Sequence, residues 1–221
     1  MKTGFFVALE GPEGSGKTTQ GRLLAGALED QGYTVLLTRE PGGTQIGERL
    51  RDLLLGPSGR VMLAETEALL FAAARSQHVR EAIAPALAAG KVVICDRFTD
   101  SSLAYQGGGR GLDMGALRTV QCFATGGLVP DLRVLLDLPV EIGLSRRHAG
   151  REVTNHLDHA EVSFHEKVRA KYHELVHEDP GAWCVVDATK DADVLCREIA
   201  EAVRDRMVNV GLERPARIRS G

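Results

Sequence analysis

The chain has 221 residues, 43% hydrophobic and 26% charged, enough for one sizeable core and unlike disordered or collagen-like chains. Its formal net charge of -3 gives no whole-surface attraction for nucleic acid or anionic lipid, but it leaves room for a local cationic pocket. Cys95, Cys122, Cys184 and Cys196 are scattered with no CxxC pair, so they read as small buried hydrophobes of a reducing cytosol rather than disulfides or zinc ligands.

The first apolar run, FFVAL (5–9), is too short for a signal peptide, and no later stretch approaches membrane-spanning length. The expectation is a cytoplasmic protein with no nucleic-acid or membrane partner. Four more runs follow: TVLLT (34–38), KVVICD (91–96), LRVLLD (132–137) and WCVVD (183–187). Each is continuously apolar, as strands covered on both faces of a parallel sheet are. Helical patterns fill the intervals at 17–31, 48–55, 65–89, 114–124, 140–148, 161–178 and 191–207, with Gly32 and Gly90 as stops. Alternating strand and helix predicts an α/β fold, three layers with a central five-stranded parallel sheet.

The stretch 146–159, rich in Arg and His, has too few apolar residues for core and is expected to form a short mobile lid at about 143–159. Residues 208–221, with Pro215, Arg214, Arg217 and Arg219, read as a flexible tail, which leaves 1–207 as a single domain. The run GGGRG (107–111) follows a polar segment rather than a strand. It therefore reads as a flexible loop bordering a pocket, with Arg110 a phosphate or structural contact, and not as a dinucleotide fingerprint.

GPEGSGKT (11–18) matches G-x-x-x-x-G-K-[ST] in full, between a predicted strand and a predicted helix. Gly11, Pro12, Glu13, Gly14, Ser15 and Gly16 make up the expected ATP-binding loop, whose glycines would let successive backbone N–H groups turn inward as an anion nest at a helix N-terminus, continued by Thr18 and Thr19. Lys17 would reach the β- and γ-phosphates of ATP, and the Thr18 hydroxyl would face Mg²⁺. A second metal-side carboxylate is expected at a strand's carboxyl end, where Asp96 and Asp137 both qualify; position alone does not separate them.

TREPGGT (38–44), LLFAAARSQHV (69–79), DRF (96–98) and SSLAYQGGGRG (101–111) resemble, in order and spacing, the thymidylate kinases, P-loop nucleoside monophosphate kinases; the likeness runs from about residue 3 to residue 190. It implies transfer of the γ-phosphate of ATP to dTMP with Mg²⁺, in dTTP biosynthesis, by a homodimer whose interface the helices at 65–89 and 114–124 could supply. The resemblance makes Glu13 the acid at the 3′-hydroxyl of dTMP, and Arg39 and Arg97 the grip on its phosphate. It assigns Phe71 to stacking on thymine and Arg75 to its O4, Ser101 and Ser102 to the base edge, and Tyr105, followed by Gln106, to the sugar. Asp96 is favoured over Asp137 for the metal side. Read from the residues alone, Phe71 is a core aromatic and Arg75 an ordinary surface arginine. Their i, i+4 spacing would still present a flat ring and a fork of donors on one helical face.

No arginine stands between Gly11 and Lys17, which resembles the bacterial-type subgroup, whose lid supplies the catalytic cations. Arg146, Arg147 and Arg151 are the candidates, with Arg147 and Arg151 grouped with Lys17, Arg97 and Asp96 as catalytic. The lid departs from the family pattern at Asn155, His156, Leu157 and Asp158: histidine replaces an expected arginine, which predicts pH-dependent activity. The rival readings are a kinase for another nucleotide or nucleoside, and an ATP-binding paralogue impaired by the altered lid.

Overall fold

The computed structural model describes residues 4–56, 62–149 and 161–212. A parallel sheet of order β2-β3-β1-β4-β5 is built from β1 (Phe5–Glu10), β2 (Val35–Arg39), β3 (Val92–Asp96), β4 (Leu132–Asp137) and β5 (Trp183–Asp187). β1 is central, with all six residues buried. Burying each of its large apolar side chains is worth roughly 1.5–3 kcal/mol, which is why this run forms the middle of the sheet. The two outer strands are only partly covered, with Leu37 41% and Val185 48% exposed. Their continuous apolarity suggests burial on both faces, but an edge position leaves part of each strand open.

Phe5, Val7 and Leu9 of β1 join a core on one face with α1 (Lys17–Glu29) and α9 (Ala192–Asn209); Phe6 and Ala8 join another on the opposite face. Leu212 also packs on the first core, beyond residue 207. The remaining helices are α2 (Gln45–Leu55), α3 (Ala64–His78), α4 (Ala84–Ala88), α5 (Thr99–Ser102), α6 (Met114–Thr125), α7 (Val140–Ala149) and α8 (Val162–Glu178).

Two segments differ from the sequence expectation. The helix expected over 65–89 is interrupted by a π-helical turn at Val79–Ile83, just before Pro85, whose missing N–H disrupts the α-helical ladder. The expected loop at 107–111 is instead mostly helical, because α5 continues into a π-helix at Leu103–Gly109. Its glycines serve close packing: a Cβ on Gly108 would lie 2.6 Å from Lys171 Cβ, and one on Gly109 would lie 2.4 Å from the Phe164 ring, both on α8. Cysteine burial also differs. Cys95 is buried and Cys184 and Cys196 are partly covered, but Cys122 is exposed on α6 beside Phe123. All four thiols are free. No described helix is long and apolar enough to cross a membrane.

Candidate active site

The carboxyl ends of β1, β2 and β3 open onto a cleft of about 480 Å³. On one side lies the loop from Gly11 to Gly16. Gly11, Gly14 and Gly16 have φ of 143°, 70° and 87°, in the left-handed range that glycine enters without steric cost. A Cβ on Gly14 would also meet Gly143 O at 2.1 Å. Pro12 and Ser15 are buried beneath the loop, whereas Glu13, Gly14, Gly16, Lys17, Thr18 and Thr19 line the cleft. Lys17 Nζ donates to Gly11 O at 3.0 Å, Pro12 O at 2.8 Å and Ser15 Oγ at 3.2 Å. Burial, helped by the Arg97 charge, pulls its pKa down to about 8 against the opposing pull of Glu13 and Asp96.

Thr18 Oγ1 donates to Asp96 Oδ2 at 2.6 Å, joining the start of α1 to the end of β3. These are hard oxygen donors of the type Mg²⁺ accepts, and they stand close enough for one cation to be held by both. Asp137, the other sequence candidate, is held instead by Arg169 through two 2.8 Å bonds and by His173 at 3.2 Å.

Arg97 follows Asp96 with φ 71°, a left-handed conformation costing a non-glycine residue about 1–3 kcal/mol. Bonds from the flanking N–H groups hold it: Arg97 N donates to Leu9 O at 2.9 Å, and Phe98 N donates to the Glu10 side chain, at Oε1, at 2.8 Å. Glu10 is fully buried and also accepts from Ser101 Oγ at 2.5 Å and Tyr172 OH at 2.9 Å. Burial and the nearby Asp100 charge push its carboxyl up. The guanidinium of Arg97 reaches Glu13 Oε1 at 2.9 Å, Tyr105 OH at 3.0 Å, Gly11 O at 3.1 Å and Ser101 Oγ at 3.3 Å. Burial would raise the Glu13 carboxyl, but Arg97, Lys17, the Tyr105 hydroxyl and Arg147 outweigh it and hold it down to about 2. Burial pushes the Tyr105 phenol well up, so it remains a donor and reaches Glu13 Oε1 at 3.0 Å.

The far side of the cleft is lined by Phe71, Arg75, Ser101, Ser102, Tyr105 and Gln106. Phe71 is half-buried at the cleft rather than in the core, and Arg75 is 2% exposed rather than a surface cation. The Arg75 charge is tolerated because a carboxylate and three further acceptors surround it: Nε donates to Glu40 Oε2 at 2.6 Å, Nη2 to Phe98 O at 2.8 Å, and Nη1 to Ser102 Oγ at 2.9 Å and to Gln121 Oε1. A guanidinium has five N–H groups, so one on Nη2 remains for a ligand acceptor. Glu40 precedes Pro41 through a cis peptide bond, and its second oxygen meets His78 Nδ1 at 3.0 Å, while His78 Nε2 meets Thr38 Oγ1 at 2.7 Å. Glu40, His78 and Cys95 lie close enough to suggest a metal trio. Glu40 and His78 are nevertheless engaged with each other and with Arg75 and Thr38, which makes the cluster the support of Arg75.

Arg39 is half-exposed at the end of β2, lines the cleft and pairs with Glu48 at 2.9 Å. Arg51 is a cleft residue that the sequence reading misses; it donates to Pro41 O at 2.9 Å. Burial, helped by Arg39, lowers its pKa. Its signal lay in helical spacing, since it falls on the face of α2 that buries Gly47 and Leu54. Glu10, Glu40 and Glu67 were missed as well. Glu10 had a trace, being a carboxylate that ends a fully apolar strand.

Arg146 and Arg147 lie on α7 and border the cleft, with Arg146 donating to Ala188 O at 2.8 Å. That carbonyl belongs to a turn in which Asp187 Oδ1 accepts from Thr189 N at 2.9 Å. Arg151, Asn155, His156, Leu157 and Asp158 lie outside the described residues. Arg110 is not at the cleft: it pairs with Glu67 at 3.0 Å and sits over the Phe164 ring at 5.1 Å.

Residues 9–199 match the family model described as thymidylate kinase. The thymidylate kinase of Thermomicrobium roseum is 52% identical over 203 residues, which cover 92% of this chain and 96% of that one. That of Pseudomonas savastanoi pv. phaseolicola is 52% identical over 193 residues, covering 87% and 91%. The thymidylate kinase of Deinococcus radiodurans is 47% identical over 206 residues, covering 93% and 99%. Similarity of this extent, spanning both the phosphate loop and the opposite wall of the cleft, has one consequence: the chain belongs to the thymidylate kinase family.

Proposed function

We infer that the protein transfers the γ-phosphoryl group of ATP to dTMP, yielding dTDP and ADP. The observation that carries this reading is the single cleft in which Arg97 stands between the phosphate loop and the Phe71–Arg75 wall. A donor triphosphate wrapped by loop amides and an acceptor base against Phe71 would bring their phosphates together beside Arg97.

In this reading Lys17 exchanges its bonds to the loop carbonyls for β- and γ-phosphate oxygens, and Arg39, Arg51 and Arg97 bind the acceptor phosphate. Arg75 offers its remaining N–H to thymine O4. The Glu13 carboxylate accepts from the 3′-hydroxyl of the sugar, with Tyr105 against the ring. Mg²⁺, held by Thr18 and Asp96, would neutralise charge on the donor phosphates. Little covalent chemistry is asked of the side chains, because positioning and neutralisation of the equatorial oxygens lower the barrier. Arg147, on α7 at the edge of the cleft, supplies further positive charge, and Arg151, which lies outside the described residues, belongs to the same expectation. We also propose a single domain acting in the cytoplasm as a homodimer through α3 and α6, where Leu69 is 58% and Phe123 83% exposed.

The test is dTMP-dependent ATP turnover, repeated with Lys17→Ala and Arg97→Ala. Turnover with dTMP that collapses in both variants is expected. Preference for UMP, CMP or thymidine over dTMP would overturn the acceptor assignment, and ATP binding without formation of dTDP would overturn the reaction.

A further inference from the structure

Glu67 lies one helical turn before Phe71 on α3 and is 1% exposed. Its carboxylate accepts from Gln106 Nε2 at 2.9 Å and from Arg110 Nη2 at 3.0 Å, with Arg110 Nε at 3.4 Å. Gln106 is 2% exposed and borders the cleft. A carboxylate ion-paired with a guanidinium only accepts hydrogen bonds, whereas an amide has one donor end and one acceptor end. Glu67 therefore leaves Gln106 one orientation, with its NH₂ on the carboxylate and Oε1 turned away. Among the described residues, Gln106 Oε1 has no hydrogen-bond partner and is not a buried orphan.

We propose that Glu67 is a specificity-determining positioning residue, which locks the Gln106 amide so that the cleft presents a carbonyl acceptor alongside the N–H donor of Arg75. The proposal rests on the reading of this wall as the acceptor-base site. An acceptor next to a donor matches the N3–H and O4 of thymine or uracil. Cytosine inverts both, presenting an N3 lone pair and an amino group. Either mismatch leaves a buried polar group facing its own kind, the situation in which hydrogen-bonding sites discriminate most strongly. Arg75 cannot turn over, because Glu40, Ser102, Gln121 and Phe98 O hold it. Gln106 could, and Glu67 prevents it.

Glu67→Gln replaces the acceptor-only partner with an amide that offers either end, so Gln106 is free to reverse. The experiment compares dTMP, dUMP and dCMP in the full chain, as kcat/KM or, where turnover is undetectable, as competitive inhibition. The expected result is a fall of about tenfold or more in the preference for dTMP over dCMP, with the dTMP-to-dUMP ratio unchanged because both bases offer N3–H. A purely structural Glu67 would weaken all three nucleotides in proportion, and an unchanged dTMP-to-dCMP ratio overturns the proposal. Should Glu67→Gln fail to fold, the double variant Glu67→Met with Arg110→Met removes the ion pair without leaving a lone charge and carries the same two outcomes. Absence of dTMP turnover in the wild-type protein would instead overturn the functional reading, and this inference with it.

Discussion

Arg97 Nη2 donates to Glu13 Oε1 over 2.9 Å, so a carboxylate inside the phosphate loop is tied to the guanidinium that begins the opposite wall of the cleft. The two residues are 84 positions apart, and their contact fixes where the two walls of the cleft meet. Arg97 is held by backbone geometry and by four acceptors before any substrate arrives. Such preorganisation lets a cation stabilise transition-state charge with little rearrangement.

Arg97→Lys keeps the charge but loses the fork that reaches Glu13, Tyr105 and Gly11 together. The expected effect is a fall in kcat of about 10²–10³-fold, with a smaller change in KM for ATP. Steady-state kinetics with each substrate varied in turn would measure it.

Glu13 makes stability depend on pH in the acid range. Its folded pKa of about 2 lies below the ordinary 4.5, so the unfolded chain binds more protons between these values. Its contribution, about 1–3 kcal/mol, is fully present above pH 4.5 and is lost as pH falls through 2. Urea unfolding should show Glu13→Gln less stable than wild type at pH 7, with the gap narrowing below pH 4.5.

Lys17 has the complementary signature on the alkaline side. With a folded pKa of about 8, it loses its charge as pH rises, and phosphate oxygens beside it would raise that pKa. ATP binding should therefore take up protons above about pH 8, and affinity should fall from there upward. Calorimetry in buffers of different ionisation enthalpy would detect the uptake, which Lys17→Met should abolish.

The Thr18–Asp96 contact predicts a linked magnesium requirement. Thr18→Val and Asp96→Asn should each raise the Mg²⁺ concentration for half-maximal activity by about 10–100-fold. Because the two side chains are in direct contact, the double variant should lose less than the product of the two effects.

The glycines of the helical segment after Ser102 give a stability prediction. Gly109→Ala would push a methyl group into the Phe164 ring, at a cost of about 1–3 kcal/mol. Thermal unfolding should report a lower Tm, and Gly111→Ala separates the two possible causes. Gly111 has open space around a Cβ but a φ of 78°, so its penalty comes from backbone strain alone.

The phosphate loop and all five strands were legible in the linear order of residues because their determinants are local. Glycine spacing, a lysine at a helix start and runs of buried apolar residues depend on near neighbours only. The thymidylate kinase resemblance was legible for the same reason, since its motifs are short contiguous words. The helix 65–89 was legible in extent but not in its π-helical turn, which depends on how one proline is accommodated.

The supports of the functional groups were different. Arg75 reads as a surface residue until Glu40, 35 positions away, is seen against it. The glycines at 107–109 read as a loop until α8 is found packed on them. Asp96 and Asp137 are equivalent as strand-end carboxylates, and only chain packing gives one a threonine hydroxyl and the other Arg169. Residue order along the chain set which chemical groups were present and which segments became strands and helices. Their pairing came from folding, because the energy of a buried charge depends on partners drawn from distant parts of the chain.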